Sequence, residues 1–276
     1  MTEEIYQKLE RFTDKDSLRI TEFGIKAGSV DVSLLPHHEK PDQIRDEIPT
    51  LNQFGYMKFE WDEFCREFVE HAKLNNDPVL EIGPAYGWVT HRALEEGITI
   101  IAADISKKHL EVLLKDAPQD KLDNLYIYHG SFPDEIELPR ESLGAVLASR
   151  ILHFLEGEEI EKGLDKIHSW LKPQGKFFCS NCSIHHYSVN EKMLSIYKEN
   201  KIRGEKWPGI IRNQKELVAP EQAQYVGDLF HPFDMKIFEK VLPEHGFKID
   251  KIKLFDYPSD IYSKNIGHIG FIAIKA

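Results

Sequence analysis

Residues 79–90, with the sequence VLEIGPAYGWVT, constrain the fold more than any other part of the chain. The apolar run 79–82 predicts a short buried strand, and a helical pattern begins at Val89. Between them lies a turn that contains Gly83 and Gly87. Glycines at a strand-to-helix turn let a ligand approach the bare backbone, so this stretch predicts an α/β fold with a nucleotide cofactor at the turn.

Strand and helix patterns alternate after this turn. Four further apolar runs predict strands, at residues 98–103, 125–128, 143–148 and 176–179. Helical spacing appears at residues 61–72, 89–94, 107–114, 158–171 and 234–242. The last two strand runs, 247–255 and 269–274, leave no room for a helical crossover and are expected to pair antiparallel. The predicted fold is a doubly wound, mostly parallel seven-stranded sheet with a reversed C-terminal strand.

Two segments depart from the alternation. Residues 1–57 mix polar runs with prolines and show little periodicity, which predicts an irregular or partly helical N-terminal extension or cap. Residues 184–232 contain several prolines and no clear strand, and long insertions of this kind are usually lids or binding segments. The expected organisation is therefore a cap at 1–57 and one domain at 58–276 with a lid-like insertion at 184–232.

Charge and composition indicate which partners the protein binds and in which cellular compartment it is found. The formal net charge is -11, whereas binding to a DNA or RNA backbone needs clustered Lys and Arg. The first residues are acidic where a signal peptide is basic, and no apolar run approaches the ~20 residues of a membrane span. Three cysteines suit a reducing compartment. We expect a soluble cytoplasmic protein with no DNA or membrane partner.

Two classes of cofactor compete for the glycine turn. The dinucleotide fingerprint would place glycines where this chain has Ala85 and Trp88, and Trp88 would block close packing of helix on strand. The run 81–87, EIGPAYG, instead resembles the first motif of the class I S-adenosylmethionine-dependent methyltransferases. That ligand carries an ammonium and a sulfonium but no phosphate, which suits an acidic residue at the strand end.

Further segments resemble this family in the same order. Asp104 ends the second strand in IIAADIS, where a carboxylate can accept hydrogen bonds from ribose hydroxyls. The segment HGSF at 129–132 lies where the family contacts adenine, and an Asp commonly stands at the position of Ser131. The segment LASRILHFL at 147–155 corresponds to the backbone beside the methionine moiety. The segment LKPQGKFF at 171–178 resembles the turn into the fifth strand.

The resemblance covers about residues 58–183 and 233–276 and implies S-adenosylmethionine as cofactor, with S-adenosylhomocysteine as product. The positions it implies for cofactor binding are Glu81, Gly83, Ala85, Gly87, Asp104, Ile105, Ser131, Phe132, Ala148 and Ser149. Ala85 departs from the usual middle glycine of the motif. Other interpretations of single positions stay open: Asp104 also suits a helix N-cap, the glycines a plain tight turn, and Phe132 the core.

Several classes of methyl acceptor are disfavoured because the chain lacks their motifs. Adenine amino methylation usually goes with an Asn-Pro-Pro-Tyr-like tetrapeptide, whereas residues 148–151 are Ala-Ser-Arg-Ile. The Pro-Cys of cytosine methyltransferases and the paired glutamates of arginine methyltransferases are also missing. The leading prediction is methyl transfer to an oxygen or nitrogen of a small-molecule acceptor. The alternatives are a protein or RNA acceptor, or a non-catalytic cofactor-binding or scaffold protein with this fold.

A few residues are candidates for the acceptor side of the site. His153 follows the fourth strand and is the best candidate for a general base, although a structural role is also open. His186, Tyr187 and Tyr225 are predicted to line the acceptor pocket. Cys179 and Cys182 form a Cys-x-x-Cys pattern on a strand, which points the thiols to opposite faces, so no metal site is predicted.

Overall fold

The computed structural model describes residues 19–44, 46–259 and 264–276, and these form the mixed α/β fold that the sequence predicts. The strands are β1 (Ile20–Thr21), β2 (Gly24–Lys26), β3 (Glu47–Pro49), β4 (Tyr56–Lys58), β5 (Val79–Ile82), β6 (Ile100–Asp104), β7 (Leu125–His129), β8 (Leu143–Ser149), β9 (Leu171–Cys182), β10 (Phe247–Phe255) and β11 (His268–Lys275). The helices are α1 (Glu63–Leu74), α2 (Trp88–Glu95), α3 (Lys107–Asp116), α4 (Gly157–Trp170), α5 (Glu191–Ile202), α6 (Gln214–Leu217), α7 (Pro220–Ala223) and α8 (Met235–Glu244).

The main sheet has the strand order β1-β2-β7-β6-β5-β8-β9-β11-β10. Strands β7, β6, β5, β8 and β9 run parallel, and β11 is inserted antiparallel between β9 and β10. The reversed C-terminal strand is therefore confirmed. The chain order changes direction at β5, with β6 on one side and β8 on the other. In open α/β sheets this switch point, at the carboxyl ends of the strands, is where ligands bind.

The sheet is wider than the seven predicted strands. Strand β2 pairs antiparallel with β7, with Ile25 opposite Ile127, and β1 pairs with β2. Both belong to the segment that the sequence predicts to be irregular or partly helical. With two and three residues, β1 and β2 are too short to show an alternation of apolar and polar side chains. They form because they pair with the edge of the existing sheet. The part of the predicted cap at 1–18 lies outside the described residues.

The insertion at 184–232 contains a 12-residue helix, α5, that its pattern does not predict. Of its side chains, Met193, Tyr197 and Asn200 are buried, so the apolar stripe that would mark an amphipathic helix is narrow. Helix α8 also extends beyond its predicted end, since Pro243 lies in its last turn rather than after it. No helix in the described ranges is long and apolar enough to cross a bilayer.

Helices cover both faces of the sheet and bury two large apolar clusters. On one face Phe64 and Phe68 of α1 pack with residues of α2 and α3, and both side chains are fully buried. On the other face Trp170 of α4 packs with Phe238 of α8. Helix α1 begins where the Asp62 side chain accepts a hydrogen bond from the Cys65 backbone N–H at 2.7 Å. These layers hold the ends of β5, β6 and β8 in fixed positions around the switch point.

Candidate cofactor and acceptor site

The turn after β5 adopts left-handed backbone conformations at Gly83, Ala85 and Gly87, with φ of +69°, +48° and +86°. The Gly83 N–H donates to the Ala103 carbonyl at 2.7 Å, which extends the pairing of β5 with β6. A Cβ at Gly87 would lie 2.7 Å from Leu113 Cγ of α3. Gly87 is therefore needed for helix packing, while Gly83 and Ala85 lie along the cavity described below.

Asp104, at the end of β6, ties this turn to its neighbours. Its Oδ2 accepts a hydrogen bond from the Ala85 N–H at 3.1 Å, and its Oδ1 accepts from the Ser106 N–H at 2.7 Å. Ser106 is the N-cap of α3, so the interpretation of Asp104 as that cap is wrong. Oδ2 has one protein partner in the described structure and keeps a lone pair for a ligand hydroxyl.

His109 connects Asp104 to the N-terminal hairpin β3–β4. Its Nε2 accepts a hydrogen bond from the Leu51 N–H at 3.1 Å, so its Nδ1 carries the proton that it donates to Asp104 Oδ1 at 3.2 Å. Nearby, the Tyr86 hydroxyl donates to the Pro49 carbonyl at 2.8 Å. These contacts hold the loop between β3 and β4 over the glycine turn.

Glu81, on β5, is a buried carboxylate with 4% of its surface exposed. Its Oε2 accepts a hydrogen bond from the Thr90 hydroxyl at 2.5 Å, and in the described part of the chain no cation pairs with it. Burial, with a smaller contribution from the nearby Asp104 carboxylate, raises the pKa of Glu81 to about 7. A buried carboxylate of this kind is stabilised by a ligand that brings a positive charge.

A first cavity opens between this turn and the hairpin loop. Seven residues of the predicted cofactor site line it: Glu81, Gly83, Ala85, Asp104, Ile105, Phe132 and Ser149. The other three, Gly87, Ser131 and Ala148, do not. Ala148 is fully buried in the core, and Ser131 uses its backbone N–H to bind Glu135 Oε2 at 2.8 Å.

Phe132 lies between the core and the first cavity. It lines the first cavity, and its ring also packs against Trp170 with 6.4 Å between ring centroids. A Cβ at Gly163 of α4 would lie 2.5 Å from the Phe132 ring. The glycine in α4 therefore makes room for Phe132 to stand between the core and the cavity.

A second cavity adjoins the first. Both are lined by four residues: Tyr56, Lys58, Arg150 and Phe154. The second cavity is also lined by residues of the insertion, among them Tyr187, Gln214, Val218 and Phe230. Of the predicted acceptor-side residues, His153, His186 and Tyr187 line it, whereas Tyr225 packs against Tyr56 with ring centroids 5.9 Å apart.

Comparison with known proteins agrees with this geometry. Residues 79–175 match the family described as a methyltransferase domain. An uncharacterised methyltransferase of Oceanobacillus iheyensis is 30% identical over 136 residues, which cover 48% of this chain and 59% of that protein. The chain thus spans little more than half the length of this curated relative.

Solved structures share the fold. A SAM-dependent methyltransferase of Methanosarcina mazei has a TM-score of 0.58 at 15% identity, over 78% of this chain and 98% of that one. The 1,6-didemethyltoxoflavin-N1-methyltransferase of Burkholderia thailandensis was solved with bound 1,6-didemethyltoxoflavin and S-adenosylhomocysteine. It has a TM-score of 0.52 at 17% identity, over 78% of this chain and 79% of that one.

Residues 79–175 of this chain match a methyltransferase domain, and the fold around them is shared with SAM-dependent methyltransferases. S-adenosylmethionine is the cofactor of that family, and the first cavity of the methyltransferase domain fits it chemically. Glu81 is buried without a cation, Asp104 presents a carboxylate oxygen, and Ile105 and Phe132 add apolar surface.

His153 lies in the methyltransferase domain on a short 3-10 turn (Leu152–Phe154), with 4% of its surface exposed. Its ring packs against Phe154 at 4.2 Å between centroids and against Phe230 at 6.0 Å. Burial, and then the Arg150 charge, lower its pKa well below the usual range. A neutral imidazole with so low a pKa is a weak general base near pH 7.

Three potential metal ligands meet beside the second cavity. The ligand atoms of Cys182, His186 and His268 all lie within 4.8 Å of one another, while Cys179 Sγ instead accepts a hydrogen bond from Asn181 at 3.0 Å. Burial, and then the Arg150 and Lys58 charges, lower the pKa of His186 to about 3. Because the Arg150 and Lys58 charges that act on His186 would also repel a divalent ion, we assign the trio to the wall of the cavity.

Sequence reasoning missed several residues that line the cavities. Asn52 and Phe54 come from the hairpin loop, and Tyr257 comes from the segment after β10. No local pattern marks them, because they reach the site through contacts between distant parts of the chain. Arg150 could have been recognised from the sequence, since it is a charged residue directly after an apolar strand.

Proposed function

We propose that this chain transfers the methyl group of S-adenosylmethionine to an oxygen or nitrogen atom of a small-molecule acceptor. The observation that carries the proposal is the pair of adjoining cavities. One is lined by the glycine turn and Asp104, the other by the insertion, and both include Tyr56, Lys58, Arg150 and Phe154 in their walls. A cofactor and an acceptor held on the two sides would meet at these shared residues.

We assign the cofactor contacts from the chemistry of the first cavity. The Glu81 carboxylate would accept from the ammonium group, and Asp104 Oδ2 would accept from a ribose hydroxyl. Ile105 and Phe132 would cover the adenine ring. When bound, the cofactor supplies a methyl group on a sulfonium, whose transfer depends mainly on the position of the acceptor and on the exclusion of water.

The side chains of the second cavity suit an acceptor that arrives unprotonated. His153 has a strongly lowered pKa, and Lys58 is occupied by Asp46, at 2.5 Å, and by Ser259 Oγ at 3.0 Å. Neither is suited to remove a proton from the nucleophile near pH 7. In this proposal the residues of the cavity orient the acceptor and keep water away, rather than acting as a base.

A small acceptor is favoured over a macromolecule because three chain segments enclose the second cavity. The hairpin supplies Glu47 and Tyr56, the insertion supplies Val218 and Phe230, and Ser259 closes a third side. We infer that the hairpin acts as a cap and the insertion at 184–232 as a lid. The net charge of -11 adds an argument against RNA.

Calorimetric titration of the purified protein with S-adenosylmethionine, S-adenosylhomocysteine and NAD tests the cofactor. We expect micromolar binding of the first two, none of NAD, and loss of binding in Asp104→Ala. Asp104→Asn keeps the size of the side chain and serves as the variant least prone to misfold. Asp134→Ala, which removes an exposed partner of Lys162, is the control and should bind normally.

Transfer of a labelled methyl group then tests the acceptor. The protein is incubated with methyl-labelled cofactor and, separately, with small-molecule, protein and RNA fractions of a cell extract. Label in the small-molecule fraction supports the proposal. Label confined to protein or RNA would replace it with the corresponding alternative, and failure of the wild-type protein to bind either form of the cofactor would refute it.

A further inference from the structure

Arg150 stands at the junction of the two cavities in an unusual conformation. It directly follows β8, and its φ of +60° lies in the left-handed region that residues other than glycine rarely adopt. Its backbone N–H donates to the Ser180 carbonyl at 2.6 Å, which continues the pairing of β8 with β9. Backbone strain of this kind persists where the surrounding structure holds a side chain in a required direction.

The guanidinium group of Arg150 has unused donors. Its Nε and Nη1 atoms are buried and make no hydrogen bond within the described structure. Its Nη2 reaches Glu47 Oε1 only at 3.5 Å, and the same oxygen lies 3.6 Å from Lys58 Nζ. Buried donors are nearly always satisfied, so a partner that the chain itself does not supply is expected.

Of the electrostatic neighbours of Arg150, Glu47 and Cys182 line the second cavity and Tyr257 lines the first. Burial opposes its charged form, but Glu47 and then Tyr257 and Cys182 favour it, so its pKa is above the usual range and it stays protonated. Its charge in turn adds to the effect of burial in lowering the pKa of His186. A protonated guanidinium therefore lies beside the second cavity, with Glu47 as its nearest carboxylate.

Other groups account for the raised pKa of Glu81. Its raised pKa follows from burial, from the Thr90 hydrogen bonds and from Asp104. The carboxylate that the Arg150 guanidinium approaches is instead Glu47, at 3.5 Å.

We propose that Arg150 binds an anionic group, a carboxylate or a phosphate, of the methyl acceptor at the junction of the two cavities. This inference rests on the proposed function and narrows its substrate class to organic acids. A guanidinium presents several N–H donors in a plane that matches carboxylate and phosphate oxygens. The anion would satisfy the buried Nε and Nη1 donors of Arg150.

The test uses the full chain saturated with S-adenosylhomocysteine and titrated with matched acid and amide probes. Benzoate and inorganic phosphate are the anions, and benzamide is the neutral probe with the shape of benzoate. Arg150→Met removes the charge and keeps the length of the side chain, and Arg150→Lys keeps the charge without the planar group. Arg212→Met is the control, because Arg212 is an exposed residue that pairs with Glu156 at the surface.

We expect at least one anion to bind the wild-type protein and benzamide not to bind. The anion affinity should fall at least tenfold in Arg150→Met, less in Arg150→Lys, and not at all in Arg212→Met. Binding of S-adenosylhomocysteine should stay within twofold of wild type in all variants, and this result also shows that they are folded.

Several outcomes would overturn the inference. One is anion binding that is the same in Arg150→Met as in the wild type, and another is no anion binding to a wild-type protein that binds S-adenosylhomocysteine. A third is a variant that loses affinity for S-adenosylhomocysteine but not for 5′-methylthioadenosine, which lacks the amino-acid part, because Arg150 would then hold the cofactor carboxylate. The proposed function survives all three, since it fails only through the cofactor and transfer experiments.

Discussion

Replacement of Glu81 by Gln should make the protein more stable at alkaline pH while weakening its binding of the cofactor. Gln has nearly the same shape, and its side-chain carbonyl can still accept the hydrogen bond of the Thr90 hydroxyl. The variant therefore removes the negative charge with little change in packing. Any effect that depends on pH then comes from the charge.

The magnitude follows from the pKa of Glu81, which burial raises from 4.5 to about 7. Because the folded chain keeps this proton to higher pH than the unfolded chain, the contribution of Glu81 to the free energy of unfolding falls between pH 4.5 and 7. At 1.36 kcal/mol per pKa unit, the ionised carboxylate costs the folded state about 3 kcal/mol. Glu81→Gln should gain that amount above pH 7 and almost nothing near pH 4.5.

Urea denaturation of both proteins at several values between pH 4.5 and 8.5 measures this difference. Calorimetry with S-adenosylhomocysteine at pH 6 and pH 8 measures how the affinity for the cofactor product depends on pH. Wild-type affinity should rise about tenfold between these values and then level off, because the ammonium group of the ligand is bound by the ionised carboxylate. Affinity of the variant should be lower at pH 8 and change little with pH.

Glu135→Gln provides the matched control. Glu135 is exposed, and its pKa is lowered by the hydrogen bond from the Ser131 backbone N–H, so the loss of its charge should not stabilise the protein at pH 8. A difference in stability between wild type and Glu81→Gln that does not vary with pH would refute the reasoning. It would mean that Glu81 does not titrate in this range in the folded protein.

Three further predictions concern a pair of glycines, His109 and His153. Gly97→Ala should lower the free energy of unfolding, measured by urea denaturation, by about 1 kcal/mol. The cost comes from the backbone alone, because φ is +76° and an added Cβ would meet no atom of the described residues within 4 Å. Gly87→Ala, at a φ of +86°, should lower the free energy of unfolding by about 1–3 kcal/mol more than Gly97→Ala, because the added Cβ is crowded. Equal losses of stability in the two variants would contradict this. His109→Leu breaks two hydrogen bonds that link Asp104 to the hairpin and should weaken S-adenosylhomocysteine binding about tenfold in calorimetry; unchanged affinity would show that the hairpin does not support the site. His153→Gln should leave the shape of the pH–rate profile between pH 6 and 8 unchanged, and the loss of an inflection near pH 7 would restore His153 as a base.

Much of the core could be predicted from local patterns. The apolar runs of β5 and β6 show their burial directly, since both strands are completely buried. Hydrophobic periodicity and chain order therefore suffice for the fold class. The resemblance of the motifs, rather than periodicity, pointed to Glu81 and Asp104, and both line the first cavity.

Weak or very short patterns explain the elements that were missed. Strands β1 and β2 exist because β7 offers a free edge, and helix α5 has too narrow a buried stripe to be recognised. In the same way, the positions of Ser131 and Phe132 relative to the cavity depend on how the turn after β7 packs against α4. A one-residue difference in a turn decides which side chain reaches the cavity.

By itself, the sequence determined the alternation of strands and helices, the glycine turn and the two carboxylates at neighbouring strand ends, because these depend on local propensity and chain order. Only the tertiary structure decided what surrounds them. The Leu51 N–H meets His109 across 58 residues, and the Arg150 side chain meets Glu47 across 103. Such contacts are selected by the packing of the whole chain, and no local pattern encodes them. For that reason the second cavity and the Arg150 guanidinium beside it could be located only in the folded protein.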